Sequence, residues 1–447
     1  MRKSLLVKVI VTGILAIGLI VPLSSIQGIV SERQAASEGV LREIQQSGVG
    51  AQRVTGPILA VPYRKTVVST EMDEKTHKKT VVENSEDGQL YFLPDSLTIN
   101  AQVSTETRHR GIYSALLYDS EQSLSGSFSV PANFGITNAA GTSYVWGEAA
   151  ILLGISDTRG IRGSPTFRWD GAEYAIKGGT QSAAIHTGVH VPLRVLTPGR
   201  NFTFSADLFL QGTSSIVYVP VGKQTTVTMK SVWPHPSFFG QFLPETRTIS
   251  STGFEAMWRT THLASGIEDS MNECLRSSCA QEPTALGVSF VQPVNVYLET
   301  ERASKYGFLF VIFTFVIFQL FELLKKLSIH PVQYGLVGIA LAMFFLLLVA
   351  LAEHVAFALA YAISAGSCVA LLGFYVSFVL RSVARAAGFT MMLSLLYGAL
   401  YVLLQSEDMA LLLGACLLFF LLATIMVVTR KVDWHSIALP EVRAPSV

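Results

Sequence analysis

Six stretches of this chain are almost continuously apolar: residues 5–26, 306–324, 332–352, 355–380, 389–405 and 409–429. A helix needs about 20 apolar residues to cross the hydrocarbon core of a bilayer, so each run predicts a transmembrane helix. Between residues 27 and 305 no run reaches that length. There the pattern changes to period two. Leu97, Ile99, Ala101 and Val103 alternate with Thr98, Asn100, Gln102 and Ser104, and Phe202, Phe204, Ala206, Leu208 and Leu210 repeat the device. Val227, Met229 and Trp233 share a face, and Leu286, Val288, Phe290, Val294, Val296 and Leu298 alternate up to the second span. Alternation predicts strands with one buried and one solvated face, which suits antiparallel sheet better than buried parallel sheet.

The predicted fold is therefore a membrane α+β protein. A single anchor (1–26) precedes a large antiparallel β-rich, sandwich-like domain (27–305), a five-helix bundle (306–429) and a short tail (430–447). The charged stretch 71–88 reads as a hairpin or loop. The first run has the basic start of a signal peptide, but small residues are poorly placed for cleavage. Ser31 to Ser47 mixes Ala35, Val40, Leu41 and Ile44 with polar residues, so an uncleaved helix extending beyond the membrane is expected.

The gaps between runs decide orientation. Arg2, Lys3 and Lys8, then Lys325 and Lys326, then Arg381 and Arg385, then Arg430 and Lys431 occupy alternate gaps. The other two short loops carry Glu353, His354, Glu407 and Asp408. By the positive-inside rule both termini lie in the cytoplasm and 27–305 on the far side of the membrane. Composition agrees: half the residues are hydrophobic and 15% are charged. Residues 27–305 hold 23 of the 33 Lys and Arg and 26 of the 32 Asp and Glu, which excludes a basic nucleic-acid footprint there.

Chemistry is harder to find. No G-x-S-x-G elbow, Walker A loop, G-x-G-x-x-G or H-E-x-x-H occurs, and neither a metal site nor a cofactor is expected. His186 and His190 are four apart, but in a strand that places them about 13 Å from each other, too far for one metal. Glu322 lies near Lys325 and Lys326 at a span's end, as an interfacial ion pair would. Cys368 and Cys416 read as thiols within spans. Cys274 and Cys279, on the oxidising side, could close a local disulfide or stay free. Trp233-Pro234-His235-Pro236-Ser237-Phe238-Phe239-Gly240 and Ser156-Asp157-Thr158-Arg159-Gly160-Ile161 are unusually specified. Asp157, Arg159, Trp233, His235 and Phe238 are the binding-surface candidates, against a reading of the Asp157 stretch as a hydrogen-bonded turn. Glu353 and His354 could form an acid/base pair at the external mouth of the bundle, or a polar cap.

These stretches resemble the CreD family of bacterial inner-membrane proteins, nearly end to end. The residues that carry the resemblance in the external half are Gly56-Pro57 with Val61-Pro62, Phe92-Leu93-Pro94, Arg110-Gly111-Ile112-Tyr113, Asp157 with Arg159-Gly160-Ile161, Trp233 to Gly240, and Gly253-Phe254 with Trp258. In the membrane half they are Thr300-Glu301-Arg302-Ala303, Lys305-Tyr306, His330-Pro331 with Gln333-Tyr334, Glu353-His354, Ala410 to Gly414, and Thr429-Arg430 with Asp433-Trp434. Members often carry an acid after the glycine at 240 and an aromatic after the tryptophan at 434; this chain has Gln241 and His435. The resemblance implies a protein tied to cell-envelope integrity, in some bacteria expressed under a two-component system that responds to nutrient or cell-wall stress. It implies no reaction.

Two functions are compatible with these residues. One is a non-enzymatic envelope protein whose external domain binds a periplasmic protein or cell-wall component, with the lipid bilayer as its other partner. The other is a membrane enzyme or transporter for a lipid or wall precursor, which requires a polar cavity where Glu353, His354, Glu407 and Asp408 converge.

Overall fold

The computed structural model describes residues 3–72, 79–111, 113–137, 139–182, 185–276, 284–290, 296–324, 329–380, 382–406 and 409–430. Two compact units emerge: Met1–Glu38 with Val294–Val447, and Gly39–Pro293.

The first unit is helical. Five of its helical segments are long and apolar enough to cross a membrane: Ile10–Ser47, Glu299–Leu320, Pro331–Ala352, Phe357–Val379 and Val383–Gln405. The last helix, Ala410–Thr429, contributes a shorter apolar segment, Leu412–Val427. The first helix does run on past the membrane-length stretch, to Ser47. The second begins at Val296, ten residues before the apolar run, so Val296 belongs to helix and not to the alternating strand that the sequence suggests. Among the described residues that strand covers Leu286–Phe290, and Val294 lies outside them.

Lipid gives no hydrophobic drive between helices, so packing and interhelical hydrogen bonds must hold the bundle. Gly338 provides the close approach: a Cβ there would lie 2.8 Å from the Phe315 ring and closer still to Leu19. Phe310, Phe344 and Tyr361 gather around Tyr397 and one another. The Tyr361 hydroxyl donates to the Tyr397 carbonyl at 2.6 Å, and the Tyr397 hydroxyl to Cys368 Sγ at 3.1 Å. Cys368 is the buried thiol expected; Cys416 is free and exposed on its helix.

At the turn between Val296–Leu324 and Pro331–Ala352, Glu322 does something the sequence did not suggest. Its carboxylate accepts from the Ile329 amide at 3.2 Å and from the Tyr334 hydroxyl at 2.8 Å. Lys325 and Lys326 lie outside the described residues. His330 caps the following helix: its Nδ1 accepts from Val332, Pro331 fills the first turn, and the Gln333 side chain accepts from the His330 amide. These bonds satisfy helix-start amides that would otherwise lack partners.

The second unit is built from two sheets whose inner faces share one core. The nine-stranded sheet runs in the order Pro236–Gly240, Leu286–Phe290, Ser215–Val219, Gln52–Met72, Ala149–Ile155, Gly188–Leu193, Lys177–Gly178. Lys79–Phe92 and Thr142–Trp146 also pair with Gln52–Met72. The eight-stranded sheet runs Thr246–Ser250, Gly253–Thr261, Gln224–Ser231, Ser96–Arg110, Tyr113–Val130, Arg200–Thr213, Ile161–Trp169, Ala172–Tyr174. Of the stretch 71–88, residues 71–72 and 79–88 are strand, Gln52–Met72 pairing antiparallel with Lys79–Phe92, and 73–78 lie outside the described residues.

The sheets are mixed, which corrects the purely antiparallel expectation. Gln52–Met72 runs parallel to Ser215–Val219, and Ser96–Arg110 parallel to Gln224–Ser231. The reason is that side chains alternate with period two in either direction, so a strand with one buried face reads alike in both. The alternating positions do point inward: Leu97, Ile99, Ala101 and Val103 are buried between exposed or half-buried neighbours. Phe128 is fully buried and packs on Trp169 and Phe204 at centroid distances of 5.6 and 5.4 Å. Among the described residues the unit also holds the helices His262–Ser265 and Ile267–Arg276.

Removing the acceptor at Glu322 leaves the Tyr334 hydroxyl and the Ile329 amide without their partner. Glu322→Ala should lower stability by about 1–3 kcal/mol, with a smaller loss for Glu322→Gln, which keeps one acceptor oxygen. Thermal unfolding of the detergent-solubilised protein, followed by fluorescence, measures both.

Candidate functional site

The helix Ile20–Ser47 ends within the β unit, and its last carbonyls need partners. Arg159 supplies them. Its NH1 donates to the Gln46 carbonyl at 2.8 Å and its NH2 reaches the Gln45 carbonyl at 3.5 Å. A cation there also complements the negative end of the helix dipole. Asp157 holds the guanidinium in a fork, with Nε to Oδ1 at 2.9 Å and NH2 to Oδ2 at 2.7 Å. The Arg159 amide donates to Oδ1 and the Gly50 amide to Oδ2, so both carboxylate oxygens are doubly engaged. These bonds, the Arg159 side chain foremost, hold the Asp157 carboxyl at about 2, well below the ordinary range.

The short turn Thr158–Gly160 that carries Arg159 is capped by Asp157 itself. Gly160 is needed for contact: a Cβ there would collide with the Gln52 side-chain amide and the Gln211 carbonyl. Gln52 is 1% exposed, and its amide is fully used. Nε2 donates to the Asp157 and Gln211 carbonyls at 3.0 and 2.9 Å, while Oε1 faces the Asp157 amide and the Ser156 hydroxyl, both at 3.3 Å. Thr213 adds a hydroxyl bond to the Val49 carbonyl. Sequence reasoning missed Gln52. Its one signal is a long polar residue at the head of an apolar strand.

The second stretch lies elsewhere. Pro236–Gly240 is an edge strand, paired with Leu286–Phe290 on one side. Phe238 points inward to Phe254 and Trp258, at 5.6 and 5.7 Å. His235 is exposed and sits edge-on to half-buried Trp233 at 6.1 Å. Gln241 accepts from the Ala285 amide through its side chain at 2.8 Å. A carboxylate oxygen could accept that same bond. Register places Phe238 beside Val288, Val288 beside Ile216 and Ile216 beside Gln52. With strands about 4.8 Å apart, Phe238 lies roughly 15–20 Å from the Asp157 lock. The two stretches are two places and not one site.

At the end of Pro331–Ala352, Glu353 caps the helix and meets Arg33 at 3.5 Å. The Glu353 side chain is 10% exposed, and a carboxylate at a helix C-terminus opposes the dipole, so Arg33 compensates on both counts. His354 is exposed. Glu407, Asp408 and Cys279 lie outside the described residues, as does the Cys274 side chain. His190 is buried on its strand with Nδ1 2.5 Å from the Gly179 carbonyl, whereas His186 is exposed in the preceding loop, because the strand starts only at Gly188. Among the described residues of the helical unit two cavities stand out. One, of about 200 Å³, is lined by Tyr306, Phe310, Leu400 and Gly414; the other, of about 490 Å³, by Tyr361, Ala365, Gly398 and Tyr401. Neither is lined by an acid.

Several apolar membrane-length helices and a large mixed β-sheet unit inserted after the first of them define a multi-pass membrane protein with a folded non-membrane domain. A family profile described as Inner membrane protein CreD matches residues 4–435. The chain belongs to the CreD family of inner membrane proteins. It is 33% identical over 430 residues to Inner membrane protein CreD of Escherichia coli (strain K12), covering 95% of this chain and 93% of that protein. Among solved structures, an M1 zinc metallopeptidase from Deinococcus radiodurans overlays at 12% identity and a TM-score of 0.21, spanning 44% of this chain and 42% of that one. A score that low carries no argument.

A carboxyl depressed in the folded state contributes stability that is present above its unfolded pKa, near 4, and is lost as pH falls towards its folded value of about 2. Asp157→Asn should therefore lower the melting temperature at pH 7, and the gap from the parent should shrink between about pH 4 and pH 2. Parallel melts across that range check it; a gap that stays constant removes the charged fork from the explanation.

Proposed function

We propose that this chain is a non-enzymatic inner-membrane protein that supports cell-envelope integrity or the response to envelope stress. It spans the membrane six times, Ala410–Thr429 being the sixth helix, with both termini cytoplasmic and residues 27–305 periplasmic. Support for this orientation comes from the alternate gaps, where basic residues flank one set of helix ends and Glu353, His354, Glu407 and Asp408 the other. On the periplasmic side a β domain of this size binds a partner.

The observation that carries the binding reading is the edge strand Pro236–Gly240. Among the described residues its outer side pairs with no strand, and exposed edges are templates for an added strand. Phe238 anchors it to the core, while Phe239, Val232 and Leu243 are 39%, 64% and 63% exposed around it. Trp233 and His235 stand at its head. This arrangement fits an extended segment of a periplasmic protein laid along the edge, with His235 and Phe239 reading its side chains. Asp157 and Arg159 serve this reading indirectly, by fixing the sheet to the helix end. The enzyme or transporter alternative requires acids converging on a cavity; Glu353 is instead engaged with Arg33.

In a strain lacking its own copy, His235→Ala and Phe239→Ser should each fail to restore resistance to wall-active antibiotics while membrane abundance stays at the parent level. Asp157→Ala should lower abundance as well. Lost abundance in the His235 variant would reassign that residue to folding. A fluorescent protein fused after Val447 should light up in the cytoplasm; a dark, intact fusion would overturn the orientation.

A further inference from the structure

Beyond its core, the nine-stranded sheet projects a three-stranded arm built from the far end of Gln52–Met72, the start of Lys79–Phe92, and Thr142–Trp146. No described residue of 63–69 or 81–88 is fully buried. Register sets Tyr63 between Gly88 and Trp146, Lys65 between Glu86 and Tyr144, and Val67 between Asn84 and Thr142. Alternation puts these nine residues on one face.

Three rings on that face form a corner. A Cβ at Gly88 would lie 2.4 Å from Tyr63 Cζ, so the Tyr63 ring reclines across the Gly88 backbone and presents its other side outward. Tyr144 and Trp146 are nearly parallel to each other, 12° apart with centroids at 5.8 Å. Both tilt steeply from Tyr63, by 62° and 67°. The result is a flat aromatic floor with two upright aromatic walls, and all three rings are half-buried. Trp146 is held from behind by Phe134 at 4.4 Å, so the corner is fixed before any ligand arrives.

We propose that this corner binds a glycan strand. A sugar ring has an apolar C–H face that stacks on an aromatic ring and a rim of hydroxyl or acetamido groups that need hydrogen bonds. The floor at Tyr63 supplies the first requirement. Lys65, Glu86, Asn84 and Thr142, in the next two rows of the same face, supply the second. Lys65 and Glu86 sit opposite each other and balance, so the face carries no net charge to favour an anionic polymer. A protein hot spot would instead be ringed by contacts that exclude water. The arm's other face is closed by the Arg64–Asp87 fork, at 2.6 and 2.9 Å. That the glycan would be the wall's own rests on the periplasmic placement proposed above; the binding chemistry does not.

The test uses the purified full-length chain in a detergent without a sugar headgroup, titrated with chitohexaose and with cellohexaose and read by tryptophan fluorescence and calorimetry. Saturable binding is expected, with Tyr63→Ala and Tyr144→Ala each weakening it about tenfold and Tyr63→Phe leaving it near the parent value. Gly88→Ala keeps every ring but lifts Tyr63 off the strand, and should weaken binding similarly. Arg64→Ala, on the other face, should change nothing. Binding of chitohexaose alone identifies an amino-sugar glycan, and binding of both a hexose backbone in general. No saturable binding of either, or Tyr63→Ala and Gly88→Ala titrating like the parent, overturns the proposal. The fusion that tests orientation reads out separately, so either idea can fail without the other.

Discussion

The β unit depends on where one helix stops. Gln52–Met72 is the spine of its larger sheet, pairing with four other strands along its length. Its register begins five residues after a 28-residue helix ends at Ser47. A slip of one residue there would turn every inward side chain of the spine outward. The Asp157–Arg159 fork, the buried Gln52 amide and the Thr213 hydroxyl all grip this short passage. Each takes a backbone group of 45–52 or of Asp157 and Gln211 as its partner, so the grip is on the chain path itself. Gly160 matters for the same reason, since any side chain there would displace Gln52.

The spine also brings the first and last strands of the unit close together. Ser215–Val219 lies between them, parallel to Gln52–Met72 and antiparallel to Leu286–Phe290. The chain therefore enters and leaves the sheet within two strand spacings, about 10 Å. Such a short span is what a domain inserted between two neighbouring membrane helices needs. It also explains a parallel pairing that alternation alone could not reveal, because nothing local in Ile216, Tyr218 or Val54 encodes direction.

What the sequence made legible follows from the range of the interactions involved. Membrane-length helices announce themselves through some 20 consecutive residues, and one-sided strands through four or five alternating ones, so both were readable. The extension of the first helix was readable too, from Ala35, Val40, Leu41 and Ile44. The Asp157 turn could be seen as a turn, but its partners at Gln45, Gln46 and Gly50 lie more than 100 residues away. The bond from Tyr334 to Glu322 could not be read, because the two residues are twelve apart and meet across a turn. The aromatic corner was invisible for the same reason: Tyr63, Gly88 and Trp146 meet only through strand pairing.

This division bears on which of the residues that carry the family resemblance carry function. Many are explained by local construction. His330, Pro331 and Gln333 start a helix, Tyr334 closes a turn on Glu322, and Asp157, Arg159 and Gly160 terminate another helix. Trp258 and Phe254 are core, and Phe238 packs against both. A residue so employed would be retained whatever the protein did. His235 and His354 differ: both are exposed. Among the described residues the His235 ring meets the edge of Trp233, a modest gain beside the buried contacts of Phe238. Where the fold gives little reason for a side chain, binding is the simpler account of it. That argument points to the edge strand beyond Trp233 and away from the more elaborate, fully satisfied network around Asp157.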